Sequence, residues 1–189
     1  EGVTVIHNAA REPEILDLVD FLCKMGAVIE GVGTSTITVH GVSRLTGGSH
    51  FIIGDRVEAG TFLVAGAATG GEIEVSGINP NHLALVLEKL SLAGATVLVG
   101  ENSVKLIMGS GRPKPVDIET GVYPGFPTDM QAQFMVLNCI ANGRSIIRER
   151  IFENRFLHVQ ELSRLGAKIE LRGSSTAIIT GVDKLNAAE

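Results

Sequence analysis

The stretch with the most chemistry in it runs Tyr123-Pro124-Gly125-Phe126-Pro127-Thr128-Asp129-Met130-Gln131-Ala132-Gln133. Two prolines and a glycine stiffen a loop, and an apolar-periodic run follows, so the spacing predicts a loop-to-helix junction with Asp129 in the first helical turn. The helix dipole favours an ionised carboxylate there, and such a group can accept a proton from a bound hydroxyl. Thr128 and Gln131 have the spacing of a capping box. The same spacing also fits a helix-start Asp with no chemistry, which is the commoner occurrence.

Three further loops fall at matching places ahead of helices: Arg11-Glu12-Pro13-Glu14, Asn79-Pro80-Asn81-His82 and Ile151-Phe152-Glu153-Asn154-Arg155. Helix N-termini present backbone N–H groups and favour anions. Plain capping explains the loops as well, since Pro13 suits a first turn and Asn79 or Asn81 a cap. His158 reads as a satisfied, partly buried helix residue rather than a catalytic one. The histidines at 7, 40, 50, 82 and 158 show no metal spacing with Cys or acids. Gly31-Val32-Gly33 and Gly109-Ser110-Gly111 lack the third glycine of a dinucleotide fingerprint, and no Gly-Lys-Ser/Thr phosphate loop occurs.

The elements that must hold these residues repeat along the chain. Gly26-Ala27, Gly94-Ala95 and Gly166-Ala167 each close a run with Leu22, Leu90 or Leu162 four residues before the glycine and Val19, Leu87 or Val159 seven before. Those offsets share one helix face, and a glycine just past the last apolar position is the usual stop. A Gly-led strand precedes each helix, starting at Gly2, Gly71 and Gly143, so the paired glycines stand 24, 23 and 23 residues apart. A short strand follows each: Val28-Ile29, Val97-Leu98-Val99 and Ile169-Glu170-Leu171. Residues 26–45 align without a gap on 166–185 with ten of twenty identical, where chance gives about one or two. Additional helices are expected at 57–69 and 129–142, and a strand at His50 to Ile53 after the turn Leu45-Thr46-Gly47-Gly48-Ser49. The fold class is therefore α/β, built of about three βαβαββ units, with both ends resembling cuts from something longer.

Composition narrows the partners. At 44% hydrophobic residues the 189-residue chain can bury a sizeable core, and with no Trp and one Tyr that core must be aliphatic. A net charge of -5 with no Lys/Arg run argues against nucleic acid. The longest apolar run, Phe62 to Ala68, is seven residues, far short of a membrane span, and no signal peptide is read at the start. Cys23 and Cys139 both lie in apolar helix-like runs, which suggests two buried free thiols in a reducing, cytoplasmic compartment.

Taken together, Phe126-Pro127-Thr128-Asp129-Met130-Gln131-Ala132-Gln133, Phe152-Glu153-Asn154-Arg155-Phe156, Glu161-Leu162-Ser163-Arg164-Leu165-Gly166-Ala167, Asn8-Ala9-Ala10-Arg11-Glu12-Pro13-Glu14 and Asp55-Arg56-Val57-Glu58-Ala59-Gly60-Thr61-Phe62 resemble the enolpyruvyl transferase family along the whole chain. The resemblance implies an inside-out α/β barrel, two lobes of three βαβαββ units with inner helices and outer sheets. It makes 1–53 the last unit of the lobe carrying a catalytic Cys, and 54–189 two units of the other lobe. The branch these blocks match moves the enolpyruvyl group of phosphoenolpyruvate to the 3-hydroxyl of UDP-N-acetylglucosamine and releases phosphate by addition and elimination, in peptidoglycan synthesis, with no cofactor. By motif position the resemblance makes Asp129 the catalytic carboxylate that contacts the sugar hydroxyl, and Ile151 a nucleotide-sugar contact through its main chain. Arg155 pairs with Asp129 or faces the cleft, and Arg56 marks the lobe junction.

The chain departs from the family by what it lacks. Neither Cys23 nor Cys139 stands in a Gly/Pro-rich loop, and the basic residues that clamp phosphoenolpyruvate match nothing, so this chain alone is expected to be inactive. Two other readings compete: an enzyme resembling the shikimate-phosphate branch, against which the Pro-Thr-Asp-Met-Gln-Ala-Gln block speaks, and a non-catalytic repeat scaffold.

Overall fold

The computed structural model describes residues 2–187. The chain divides into two compact units, Glu1–Ile53 and Gly54–Glu189.

In the first unit, strand β1 (Val3–His7) leads to helix α1 (Pro13–Lys24), then β2 (Val28–Glu30) and β3 (Thr36–His40). Both outer strands pair antiparallel with β3, giving the order β1-β3-β2. Pro13 opens α1 at its first turn, as expected. Gly26 ends it with φ +100°, a left-handed conformation that side chains resist. Pro13, Val19 and Ile37 are buried in this unit, while Val3, Val5, Ile6, Leu16 and Leu18 are exposed.

The expected strand at His50 to Ile53 does not form. The segment is tied to α1 instead: Thr46 donates its N–H and hydroxyl to the Met25 carbonyl (2.8 and 3.1 Å), and His50 stacks on Phe21 with its Nε2 2.9 Å from Asp17. Phe51 then stands fully exposed. Cys23 is likewise exposed rather than buried, although it lies one turn beyond the buried Val19 on the same helix face.

The second unit holds the core. Helix α2 (Arg56–Ala68), β4 (Glu72–Ser76), α3 (Ala84–Leu92), β5 (Thr96–Val99) and β6 (Ser103–Ile107) form one repeat, with sheet order β4-β6-β5. The next runs β7 (Ile118–Glu119), α4 (Gln131–Cys139), β8 (Arg144–Arg148), α5 (His158–Arg164), β9 (Lys168–Arg172) and β10 (Thr176–Thr180), with order β7-β8-β10-β9. β7 runs parallel to β8 and the remaining pairs are antiparallel. All three sheets place the last strand of the unit between the other two antiparallel strands, and the strand, helix, strand, strand order of each copy is the one read from the sequence.

Helices α2 and α4 pack together in this unit. Gly60 of α2 lies close under Met130: a Cβ there would be 2.8 Å from the Met130 methyl, so a larger residue would push that side-chain end aside. Gln133 donates to the Thr61 hydroxyl across the same contact at 3.0 Å. Leu63, Leu90, Leu106, Phe134, Met135 and Ile147 are fully buried around it, as an aliphatic composition demands. Asn138 on α4 accepts from the Val116 N–H (3.0 Å) and donates to the Val116 carbonyl (2.9 Å), which satisfies a buried strand end and docks it on the helix.

Candidate active site

Asp129 lies on a single 3-10 turn, Thr128–Met130, that leads into α4. The helix expected from 129 to 142 thus has its regular part at Gln131–Cys139. Phe126 anchors the preceding loop edge-on against Phe134, ring centroids 5.1 Å apart. Asp129 stays exposed while Met130 beside it is fully buried, so the turn is held by its apolar neighbour and offers its carboxylate outward.

The predicted capping box is absent. The residue before the 3-10 turn is Pro127, with no side-chain cap, and both Thr128 and Gln131 turn to another partner. The Thr128 hydroxyl donates to Glu149 Oε2 at 2.8 Å and Gln131 Nε2 donates to the same oxygen at 3.1 Å. The other oxygen, Oε1, accepts from the Thr120 hydroxyl (2.7 Å), the Ile151 N–H (2.8 Å) and the Phe152 N–H (3.1 Å). Glu149 follows the end of β8 and is 2% exposed. Burial works to raise its pKa, but hydrogen bonds from Thr120, Ile151, Thr128 and Phe152 outweigh it and hold the carboxyl below the ordinary glutamate value.

Arg155 completes the cluster. Its Nη1 donates to the Thr128 hydroxyl at 2.7 Å and its Nη2 to Asp129 Oδ1 at 2.6 Å, while its guanidinium lies 5.2 Å from the centre of the Phe152 ring. Thr128, Asp129, Phe152, Glu153, Asn154, Arg155, Leu157 and His158 line an open hollow of about 630 Å³. Of the residues singled out from the sequence, Asp129 and Arg155 form an ion pair on its wall. Ile151 sits two residues past Glu149, with its N–H taken by that carboxylate. Arg56 lies at the start of α2, its guanidinium 5.4 Å from the centre of the Tyr123 ring.

His158 also borders the hollow, but it is not satisfied as expected: its Nε2 is buried without a hydrogen-bond partner. Burial, then the Arg155 charge, push its pKa below the ordinary histidine value. In the second matched loop Asn79 caps its turn by accepting from the Asn81 N–H at 3.0 Å, as read from the sequence. In the first, Glu12 makes no cap bond. Among the described residues no group of three or more His, Cys, Asp or Glu side chains could hold a metal ion, and no helix is long and apolar enough to cross a membrane. Cys139 is buried, and its thiol pKa is pushed up to about 11 by that burial.

The repeated units of one strand order are an α/β architecture of the kind that the sequence resemblance implies. The chain belongs to the enolpyruvyl transferase family: the family model described as EPSP synthase (3-phosphoshikimate 1-carboxyvinyltransferase) matches residues 1–189. It is 55% identical over 188 residues to the UDP-N-acetylglucosamine 1-carboxyvinyltransferase of Xylella fastidiosa, and 57% identical to that of Coxiella burnetii, in both cases over 100% of this chain. The chain spans 44% and 43% of the lengths of those curated relatives. Among solved structures, the enolpyruvyl transferase NikO from Streptomyces tendae superposes with a TM-score of 0.81 at 25% identity, over 96% of this chain and 43% of that one. EPSP synthase from Acinetobacter baumannii superposes with a TM-score of 0.53 at 17% identity over 98% of this chain and 43% of that one, a likeness of fold.

Proposed function

We propose that this chain is part of an enzyme that transfers the enolpyruvyl group of phosphoenolpyruvate to the 3-hydroxyl of UDP-N-acetylglucosamine, with release of phosphate. Residues 1–53 would belong to the lobe carrying the catalytic Cys, and 54–189 would supply two units of the other lobe. The observation that carries the reading is Asp129, held by Arg155 at 2.6 Å on the wall of an open hollow. Its likeness to the UDP-N-acetylglucosamine 1-carboxyvinyltransferases selects the acceptor sugar.

In this reading Asp129 takes the proton of the sugar 3-hydroxyl as that oxygen bonds to C2 of phosphoenolpyruvate and C3 takes a proton from an acid supplied by the rest of the enzyme. Phosphate then leaves C2 as C3 returns a proton to a base there, restoring the double bond. Arg155 engages Oδ1, so the proton falls to Oδ2. The Ile151 N–H is committed to Glu149, so its contact with the nucleotide sugar falls to its carbonyl oxygen. Cys23 and Cys139 both lie in helices, and neither serves as the phosphoenolpyruvate-handling thiol. The chain by itself would therefore be inactive. Such an enzyme would work in the cytoplasm, in peptidoglycan synthesis for cell-wall growth and division.

The test is phosphate release by the full-length protein with phosphoenolpyruvate and either UDP-N-acetylglucosamine or shikimate 3-phosphate. Turnover with the nucleotide sugar supports the reading. Turnover with shikimate 3-phosphate alone, or with neither, rejects it.

A further inference from the structure

We propose that Glu149 is the positioning residue of this site: its buried carboxylate fixes Arg155 against Asp129 through Thr128, and fixes the main chain at Ile151 through two backbone N–H groups. The inference rests on the roles given above to Asp129 and Ile151.

An ionised carboxylate can only accept hydrogen bonds, so every neighbour of Glu149 must donate. The single Thr128 hydroxyl hydrogen is therefore committed to Oε2, and its lone pairs face Arg155 Nη1. A guanidinium is planar and rigid, so fixing Nη1 also fixes Nη2, which reaches Asp129. Thr128 and Asp129 are consecutive, and Arg155 bridges them into a closed ring. The opposite oxygen gathers the N–H groups of Ile151 and Phe152 and the Thr120 hydroxyl, and Thr120 accepts in turn from the Arg150 N–H at 2.9 Å. One side chain thus joins the end of β7, the turn that bears Asp129 and the loop that bears Ile151 and Arg155.

The five donors to Glu149 are all uncharged. Burying a charge among neutral dipoles is expensive, and a carboxylate persists there when its hydrogen bonds are numerous and well directed. Glutamine is nearly the same shape. In that position, however, its amide hydrogens would face groups that also donate, and the direction of the Thr128 hydrogen bond would no longer be set.

The test uses the full-length enzyme with Glu149→Gln and Thr128→Val, rates being referred to titrated active sites. Glu149→Gln is expected to lower kcat by about tenfold or more and to raise KM for UDP-N-acetylglucosamine by about tenfold, with KM for phosphoenolpyruvate within about twofold. Thr128→Val breaks the link to Arg155 but leaves the Ile151 contact, so kcat falls while KM for the nucleotide sugar stays near wild type. A merely structural Glu149 would change the active fraction and none of these constants. Wild-type kcat and KM in Glu149→Gln overturn the proposal. If that variant does not fold, Thr128→Val decides, and an unchanged kcat overturns it. If the wild-type enzyme turns over neither substrate, the functional reading fails, and crystal structures of the two variants decide the positioning. Arg155 displaced from Asp129 supports it; an undisturbed pair contradicts it.

Discussion

Arg155 and Asp129, 26 residues apart in sequence, meet through Nη2 and Oδ1 at 2.6 Å, and the same guanidinium holds the Thr128 hydroxyl with its other arm. The pair is partly exposed, so it adds little to stability, about 0–1 kcal/mol for ion pairs of this kind. On the proposed reading its value lies in aim rather than strength.

That division predicts the behaviour of Arg155→Lys. A lysine carries one compact charge and cannot hold Thr128 and Asp129 together with a planar fork. In the full-length enzyme kcat should fall by about tenfold or more through lost alignment, while the melting temperature shifts by no more than a degree or two. Paired kinetics and calorimetry check this.

The acid limb of stability should bear the marks of Glu149 and His158. Both have folded-state pKa values below their ordinary values. A depressed folded pKa means that the unfolded chain binds the proton more readily. The contribution of His158 is therefore present above pH 6.5 and declines as pH falls through its lower folded value; that of Glu149 is present above pH 4.5 and declines below it in the same way. Urea unfolding between pH 7 and pH 3.5 should show falling stability. Glu149→Gln should be less stable at pH 7 by about 1–3 kcal/mol, the cost of mispaired buried donors, and should flatten the curve below pH 4.5.

Cys139 should be chemically silent in the folded protein. The thiolate is the reactive form, and burial pushes this thiol to about pKa 11. Iodoacetamide at pH 8 is expected to leave Cys139 unmodified in the native full-length protein and to label it after denaturation, as read by peptide mass spectrometry.

Much of the architecture was legible because the repeat is written in residues with strong local rules. Leu22, Leu90 and Leu162 mark helix faces, and the glycines at 26, 94 and 166 each adopt positive φ where the helix stops. Local rules failed where a distant partner decided. Thr128 and Gln131 had the right spacing to act together, but Glu149 draws both away from the helix end. Glu149 itself sits between Arg148 and Arg150 and looks like part of a solvated charge run; its burial comes from the pairing of β8 with β7 and β10, which no window around it contains. Its place two residues before the Ile151 loop was the one available hint. The segment from His50 to Ile53 had strand-like residues, and side-chain contacts to α1 claimed it instead.

Removal of the acceptor-hydroxyl proton by the Asp129 carboxylate is tested most directly by kcat of Asp129→Asn in the full-length enzyme with UDP-N-acetylglucosamine and phosphoenolpyruvate. Losing a general base predicts a fall of at least about 100-fold with the fold intact; a rate within a fewfold of wild type would contradict it.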